Sequence, residues 1–130
     1  MSMTDPVMNG LTIIRNSELA SKTECEVRPA SKFFGEILKI AKNNGYIGDY
    51  KLIEDHQKLS YKVSLNGKLN TIKAIKPRYA VKRDEFEKYE KRYLPARDVG
   101  LIIVSTSKGL VTHTEAKAQK LGGRLIAFMY

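Results

Sequence analysis

The residues best equipped for chemistry are Ser105, Thr106, Ser107 and Lys108, followed at once by Gly109. Three hydroxyls, an ammonium group and a glycine in a row support three readings. One is nucleophilic catalysis: Ser105 and Lys108 match S-x-x-K, in which a lysine one helical turn away activates the serine. That geometry needs a helix through the motif. Here an apolar, strand-like run from Val99 to Val104 precedes it, Gly109 ends it, and no Lys-Thr-Gly motif follows. The second reading is a loop that is merely hydrated. The third is contact with RNA, since hydroxyls both donate to and accept from ribose 2′-OH groups and base edges. Glycine lets backbone come close to a ligand.

The flanking elements decide how such a loop is held. After it, Thr112-His113-Thr114-Glu115 fits a capping box, which starts a helix running to about Leu121. Gly122 can take the left-handed position that ends it, and Gly123 follows. Arg124 to Tyr130 alternates with apolar residues on both faces, as in a central strand. Upstream, Thr4-Asp5-Pro6 signals a helix over about 5–18 with Val7, Leu11 and Ile14 on one face. Thr12, Arg15 and Asn16 are its polar positions.

Thr23 to Arg28 reads as a strand closed by Pro29. Ser31 caps a second helix with Phe34, Ile37, Leu38 and Ala41 as its core face, stopped by Gly45. Lys32 sits in its first turn, where backbone N–H groups and the helix dipole favour an anion such as phosphate. Lys39 and Lys42 fit a solvated face. Tyr46 to Glu54, then Leu59 to Leu65, then Leu69 to Ile75 read as a three-stranded meander. Asp55-His56-Gln57 is its first turn and Asn66-Gly67 a type I′ hairpin. His56 is a surface residue.

Within 130 residues the net charge is +9. Residues 73–97 carry nine basic side chains against four acids, with Tyr79, Phe86, Tyr89 and Tyr93 interleaved. A basic balance points to a polyanionic partner. The aromatic residues are either a packing stripe on a solvated helix or loop, or planes on which bases stack. The orientation of the stretch 81–97 stays open. One cysteine, Cys25, allows no internal disulfide and suits a reducing compartment. Two histidines and one cysteine are too few for a standard zinc site, so no metal and no cofactor is expected. No apolar run approaches the ~18 residues of a membrane span. The expected product is a cytoplasmic protein of α+β class with two small subdomains. These are an N-terminal helix-strand-helix-meander over 1–69 and a C-terminal, mostly β subdomain with one capped helix over 70–130.

The run Gly100 to Gly109, with Thr112, Glu115-Ala116-Lys117 and Gly122-Gly123, resembles the C-terminal signature of the universal family of the eighth small-subunit ribosomal protein. Ser31-Lys32, Asn44-Gly45-Tyr46-Ile47, Lys76-Pro77-Arg78-Tyr79, Leu94-Pro95-Ala96-Arg97, Asp5-Pro6 and Ile14-Arg15-Asn16 extend the likeness over nearly the whole chain. Arg124 and His113 stand where bacterial members have Glu and usually Asp, and the charged stretch 81–93 is not bacterial either. These departures look like the archaeal and eukaryotic branch. The resemblance implies a non-enzymatic, primary rRNA-binding protein that binds the central domain of 16S rRNA and helps organise assembly of the platform. Neighbouring ribosomal proteins, and its own mRNA, are further implied partners; no membrane or small-molecule substrate is. By match, Ser105, Thr106 and Ser107 contact bases and riboses, with Lys108, Gly109 and the Gly122-Gly123 backbone close by. Ser31, Lys32, Arg78, Tyr79, Asp5, Thr12, Arg15 and Asn16 complete the RNA-binding set, with Lys32, Arg78 and the first-helix residues on phosphates.

Overall fold

The computed structural model describes residues 6–28, 30–56, 58–96 and 98–130. Thr4 and Asp5 of the expected helix start, and Pro29, Gln57 and Arg97, lie outside them. Helices and antiparallel strands make an α+β architecture in two units, residues 1–72 and 73–130.

In the first unit Pro6 opens helix α1 (Pro6–Leu19), where a missing backbone N–H costs nothing. Val7, Gly10, Leu11, Ile14 and Ser17 form its buried face. A Cβ on Gly10 would lie 2.4 Å from the Phe34 ring, so a glycine is needed where α1 meets helix α2 (Lys32–Asn43). The Ser31 hydroxyl caps α2 by accepting the Phe34 N–H at 3.1 Å. Gly45, at φ +79°, ends it. The Gly45 and Tyr46 N–H groups donate back to the Lys42 and Ala41 carbonyls, a Schellman closure. Strands β1 (Glu24–Val27), β2 (Tyr50–Asp55) and β3 (Lys58–Ser64) form an antiparallel sheet in the order β1-β3-β2. The Tyr61 hydroxyl on β3 donates to the Ser31 carbonyl at 3.1 Å and ties this sheet to the start of α2.

The expected meander is not what forms. β1 occupies the free edge of β3, with Val27 opposite Tyr61 and Glu24 opposite Ser64. The Leu65 N–H continues that pairing onto the Thr23 carbonyl. With that edge filled, the chain after Asn66-Gly67 cannot fold back on β3. Gly67 still takes a turn conformation at φ +76°. The next strand, β4 (Ile72–Ala74), joins the second sheet instead. Tyr46 to Asp49 is also not strand but the turn that leaves α2, pinned by the Gly48 N–H on the Ser64 carbonyl at 2.8 Å.

In the second unit β8 (Gly123–Met129) is central. It pairs with β4 and β5 (Ala80–Val81) on one edge and with β6 (Leu101–Thr106) on the other. Strand β7 (Gly109–Thr112) lies beyond β6. Leu125 to Met129 are all buried, as apolar side chains on both faces require. Two helices accompany this sheet, α3 (Phe86–Tyr93) and α4 (His113–Ala118). Only residues 86–93 of the charged tract are helix, and Phe86 and Tyr89 are its packing stripe, with Tyr79 and Tyr93 partly buried against the same core. Phe86 and Tyr89 are buried with Ile102, Val104, Leu125 and Phe128, while Tyr93 lies 5.2 Å from the Phe128 ring. Bases cannot stack on the buried Phe86 and Tyr89.

Thr112 caps α4 as its sequence predicts, accepting the Glu115 N–H at 3.2 Å. The helix stops earlier than expected, at Ala118, and the left-handed residue is Lys120 (φ +58°) rather than Gly122. Gly122 serves a different need: a Cβ there would lie 2.6 Å from the Val81 carbonyl oxygen.

Candidate nucleic-acid interface

The hydroxyl-rich stretch is a tight hairpin rather than an open loop. Ser105 and Thr106 belong to β6, Gly109 begins β7, and only Ser107 and Lys108 form the turn. Thr106 faces Gly109 as the closing pair. The Thr106 hydroxyl donates to the Gly109 carbonyl at 2.9 Å and accepts the Lys108 N–H at 3.1 Å. It is thus engaged mostly in bracing the turn, while Ser107 and Lys108 stand exposed at the tip. Gly109 has φ +104° with open space where a Cβ would be, so its need for glycine is conformational. Ser105 and Lys108 sit on a strand and a turn, not one helical turn apart, so the S-x-x-K geometry is missing.

Gly123 packs against β6 just below the turn of this hairpin. A Cβ on it would come within 2.2 Å of the Ser105 carbonyl oxygen, so β8 can approach β6 only because that side chain is absent. Together Gly122 and Gly123 let the start of β8 pass between Val81 and Ser105. The register then sets Arg124 opposite Ser105 on one side and Ala80 on the other. Arg78 and Tyr79 lead into this row. The Tyr79 carbonyl accepts the Leu125 N–H at 3.0 Å, and its ring lies 5.6 Å from Tyr89 and 5.3 Å from the Arg92 guanidinium. Arg92 is also 5.4 Å from the Tyr93 ring, so α3 grips the segment that carries Arg78.

Thus Ser105, Thr106, Ser107, Lys108, Gly109, Gly122, Gly123, Arg78 and Tyr79 share one end of one sheet. The remaining expected residues lie in the first unit. Thr12, Arg15 and Asn16 are exposed at one-turn spacing on α1, with the Thr12 hydroxyl donating to the Met8 carbonyl at 2.8 Å. Ser31 uses its hydroxyl for the α2 cap, and Lys32 is exposed at the first position of α2. Asp5 falls outside the described residues.

Sequence reasoning misses two parts of this site. Arg124 stands out in the sequence only as a departure from the bacterial pattern, although its polar side chain at the start of an apolar strand marks it as outward-facing. The second is a buried polar relay. His113 Nδ1 accepts the Ile102 N–H at 3.0 Å, taking the ladder position that β7 gives up where it turns into α4. Its Nε2 lies 3.2 Å from Glu90 Oε1 on α3, and Lys117 of α4 pairs with the same carboxylate. With Nδ1 acting as acceptor, the neutral ring carries its proton on Nε2 and donates to Glu90. Burial pushes the His113 pKa down, outweighing the opposing pull of Glu90. The imidazole thereby joins β6, α3 and α4 behind the hairpin. No charge pattern signals this arrangement in advance, because Glu90 and His113 meet only through folding.

The hairpin thus presents an exposed hydroxyl and an exposed ammonium group on a turn braced by Thr106. The family model for ribosomal protein S8 matches residues 5–130.

Proposed function

The chain belongs to the ribosomal protein S8 family, whose members are small-subunit components that bind rRNA, and from that premise we propose that it is a primary binder of the central domain of 16S rRNA that helps organise assembly of the platform. The observation carrying this reading is the β6–β7 tip: Ser107 and Lys108 project from a turn that Thr106 already holds in shape. A preorganised donor and acceptor loses little on binding and so selects one RNA shape over another. Phosphate contacts from Lys32, Arg78 and the polar face of α1 supply affinity without sequence information. The segment 70–130 is the RNA-reading half and 1–69 its phosphate-holding companion. Arg124, His113 and the α3 stretch suit the archaeal and eukaryotic branch of the family.

Filter-binding titration with a central-domain stem tests this. Ser107→Ala should weaken specific binding by about 1 kcal/mol or more, the value of a hydrogen bond whose partner is left unpaired. The fold should be untouched, because Ser107 is exposed. Unchanged affinity would remove the hairpin from the interface. Co-sedimentation with small subunits through a high-salt gradient separates the ribosomal role from a free regulator acting on its own mRNA.

A further inference from the structure

We propose that Arg124 grips a backbone phosphate beside the nucleotide that Ser105 and Ser107 contact. The inference rests on the reading that the β6–β7 hairpin binds RNA, and it adds a residue that the hydroxyl motif does not contain. Residues directly opposite in an antiparallel pair project from one face with Cβ atoms about 4.5–5.5 Å apart. Arg124 stands in that relation to Ser105 on β6 and to Ala80 on β5. Ala80 has only a methyl group, so nothing bulky flanks the guanidinium on that side. Arg124 is exposed and Ser105 half-buried. Ser107 follows two residues later, in the turn that closes the β6–β7 hairpin. Hydroxyl tip and guanidinium therefore border the same small surface.

Its lack of an internal partner points the same way. Some cations elsewhere on the molecule are held by carboxylates and would have to be released to meet an anion: Arg28 by Glu26, Lys42 by Asp49, Lys62 by Glu24, Lys91 by Glu87 and Lys117 by Glu90. Among the described residues Arg124 has no such carboxylate. The row across the sheet, Ala80–Arg124–Ser105–Leu110, contains no acid. A guanidinium is weakly hydrated and presents a planar fork that matches two phosphate oxygens, so it gains most from an acceptor brought in by a ligand.

The experiment compares Arg124→Gln, Arg124→Lys and Ser107→Ala in binding to a central-domain fragment of small-subunit rRNA across a series of KCl concentrations. Thermal melts confirm that each variant is folded. Arg124→Gln should bind roughly tenfold more weakly, the effect of one charge-assisted hydrogen bond. Its plot of log K against log salt should flatten by about one unit. Arg124→Lys should keep the slope and recover part of the affinity. Ser107→Ala should weaken binding at unchanged slope. An unchanged slope for Arg124→Gln while Ser107→Ala weakens binding overturns the phosphate assignment and leaves the hairpin reading intact. Weaker binding by both Arg124 variants at unchanged slope would mean the guanidinium stacks on a base, which also overturns it. No effect from any of the three removes the hairpin itself from the interface.

Discussion

Neighbouring hydroxyls of one motif do different work. Thr106 is tied at both of its turn contacts, so Thr106→Val removes the brace without changing side-chain shape. It should cost about 0.5–1.5 kcal/mol of stability, seen as a lower urea midpoint, and should weaken RNA binding indirectly. Ser107→Ala should spare the midpoint and touch only binding. Equal destabilisation by both would contradict this division. His113 shows a different residue-scale logic. Burial holds its pKa down, and Nδ1 accepts the Ile102 N–H. Because the folded pKa lies below the unfolded value of ~6.5, the unfolded chain binds the proton more readily. The stabilisation is therefore complete above the unfolded value and is lost as pH falls through it toward the folded one. Urea midpoints measured from about pH 7 down to pH 5.5 should decline in the wild type and decline less in His113→Leu. That variant should also be less stable at pH 7 by about 1–3 kcal/mol, since the Ile102 N–H is left without its acceptor.

At the scale of elements, the fold is governed by where backbones must nearly touch. Gly109 and Gly123 flank the end of β6 on its two sides, each a glycine for a different reason. Gly109→Ala meets no atom and is strained only by its positive φ, a cost of about 1–3 kcal/mol. Gly123→Ala would drive a methyl group into the Ser105 carbonyl, forcing β8 away from β6. Its effect should therefore appear in RNA affinity as well as in stability, because the β6 backbone that carries Ser105 must shift. Paired measurement of melting temperature and binding would show whether the two effects travel together, and a Gly123→Ala protein with native affinity would refute the positioning role. Helix α3 makes a comparable point. Its Glu, Lys and Arg residues mostly face outward, yet Phe86 and Tyr89 anchor it, and the Arg92 guanidinium lies over Tyr79. A helix that looks like a solvated charge run is a strut for the Arg78 segment.

At the scale of the whole molecule, the excess of positive charge sets how binding responds to salt. Removing one phosphate-binding cation should lower the salt slope by about one unit. Lys32→Ala should show that change for specific and nonspecific RNA alike, since a lysine on a phosphate reads no base. A slope equal to that of the wild type would take Lys32 out of the phosphate set. The S-x-x-K reading carries no weight at this scale either: no helix runs through the motif, and the family is one of structural RNA-binding proteins.

Local rules were enough for much of this. The apolar period of α1, the Ser31 and Thr112 caps, the Gly45 stop and the doubly apolar β8 are each decided within a few residues, so the sequence by itself determined them. The same is true of the charge excess and the hydroxyl motif. Tertiary structure decided what depends on partners far apart in the chain. β1, not the segment after Gly67, took the edge of β3, because two strands compete for one ladder and local turn chemistry cannot say which wins. The spacing of Phe86, Tyr89 and Tyr93 suited either a core or a stacking platform until the sheet covered Phe86 and Tyr89 and left Tyr93 partly exposed. Gly122 was legible as a helix stop but proved to be a point of close approach, since only the folded chain brings the Val81 carbonyl beside it. Arg124 became part of a surface for the same reason: register across β8, not proximity in sequence, set it next to Ser105.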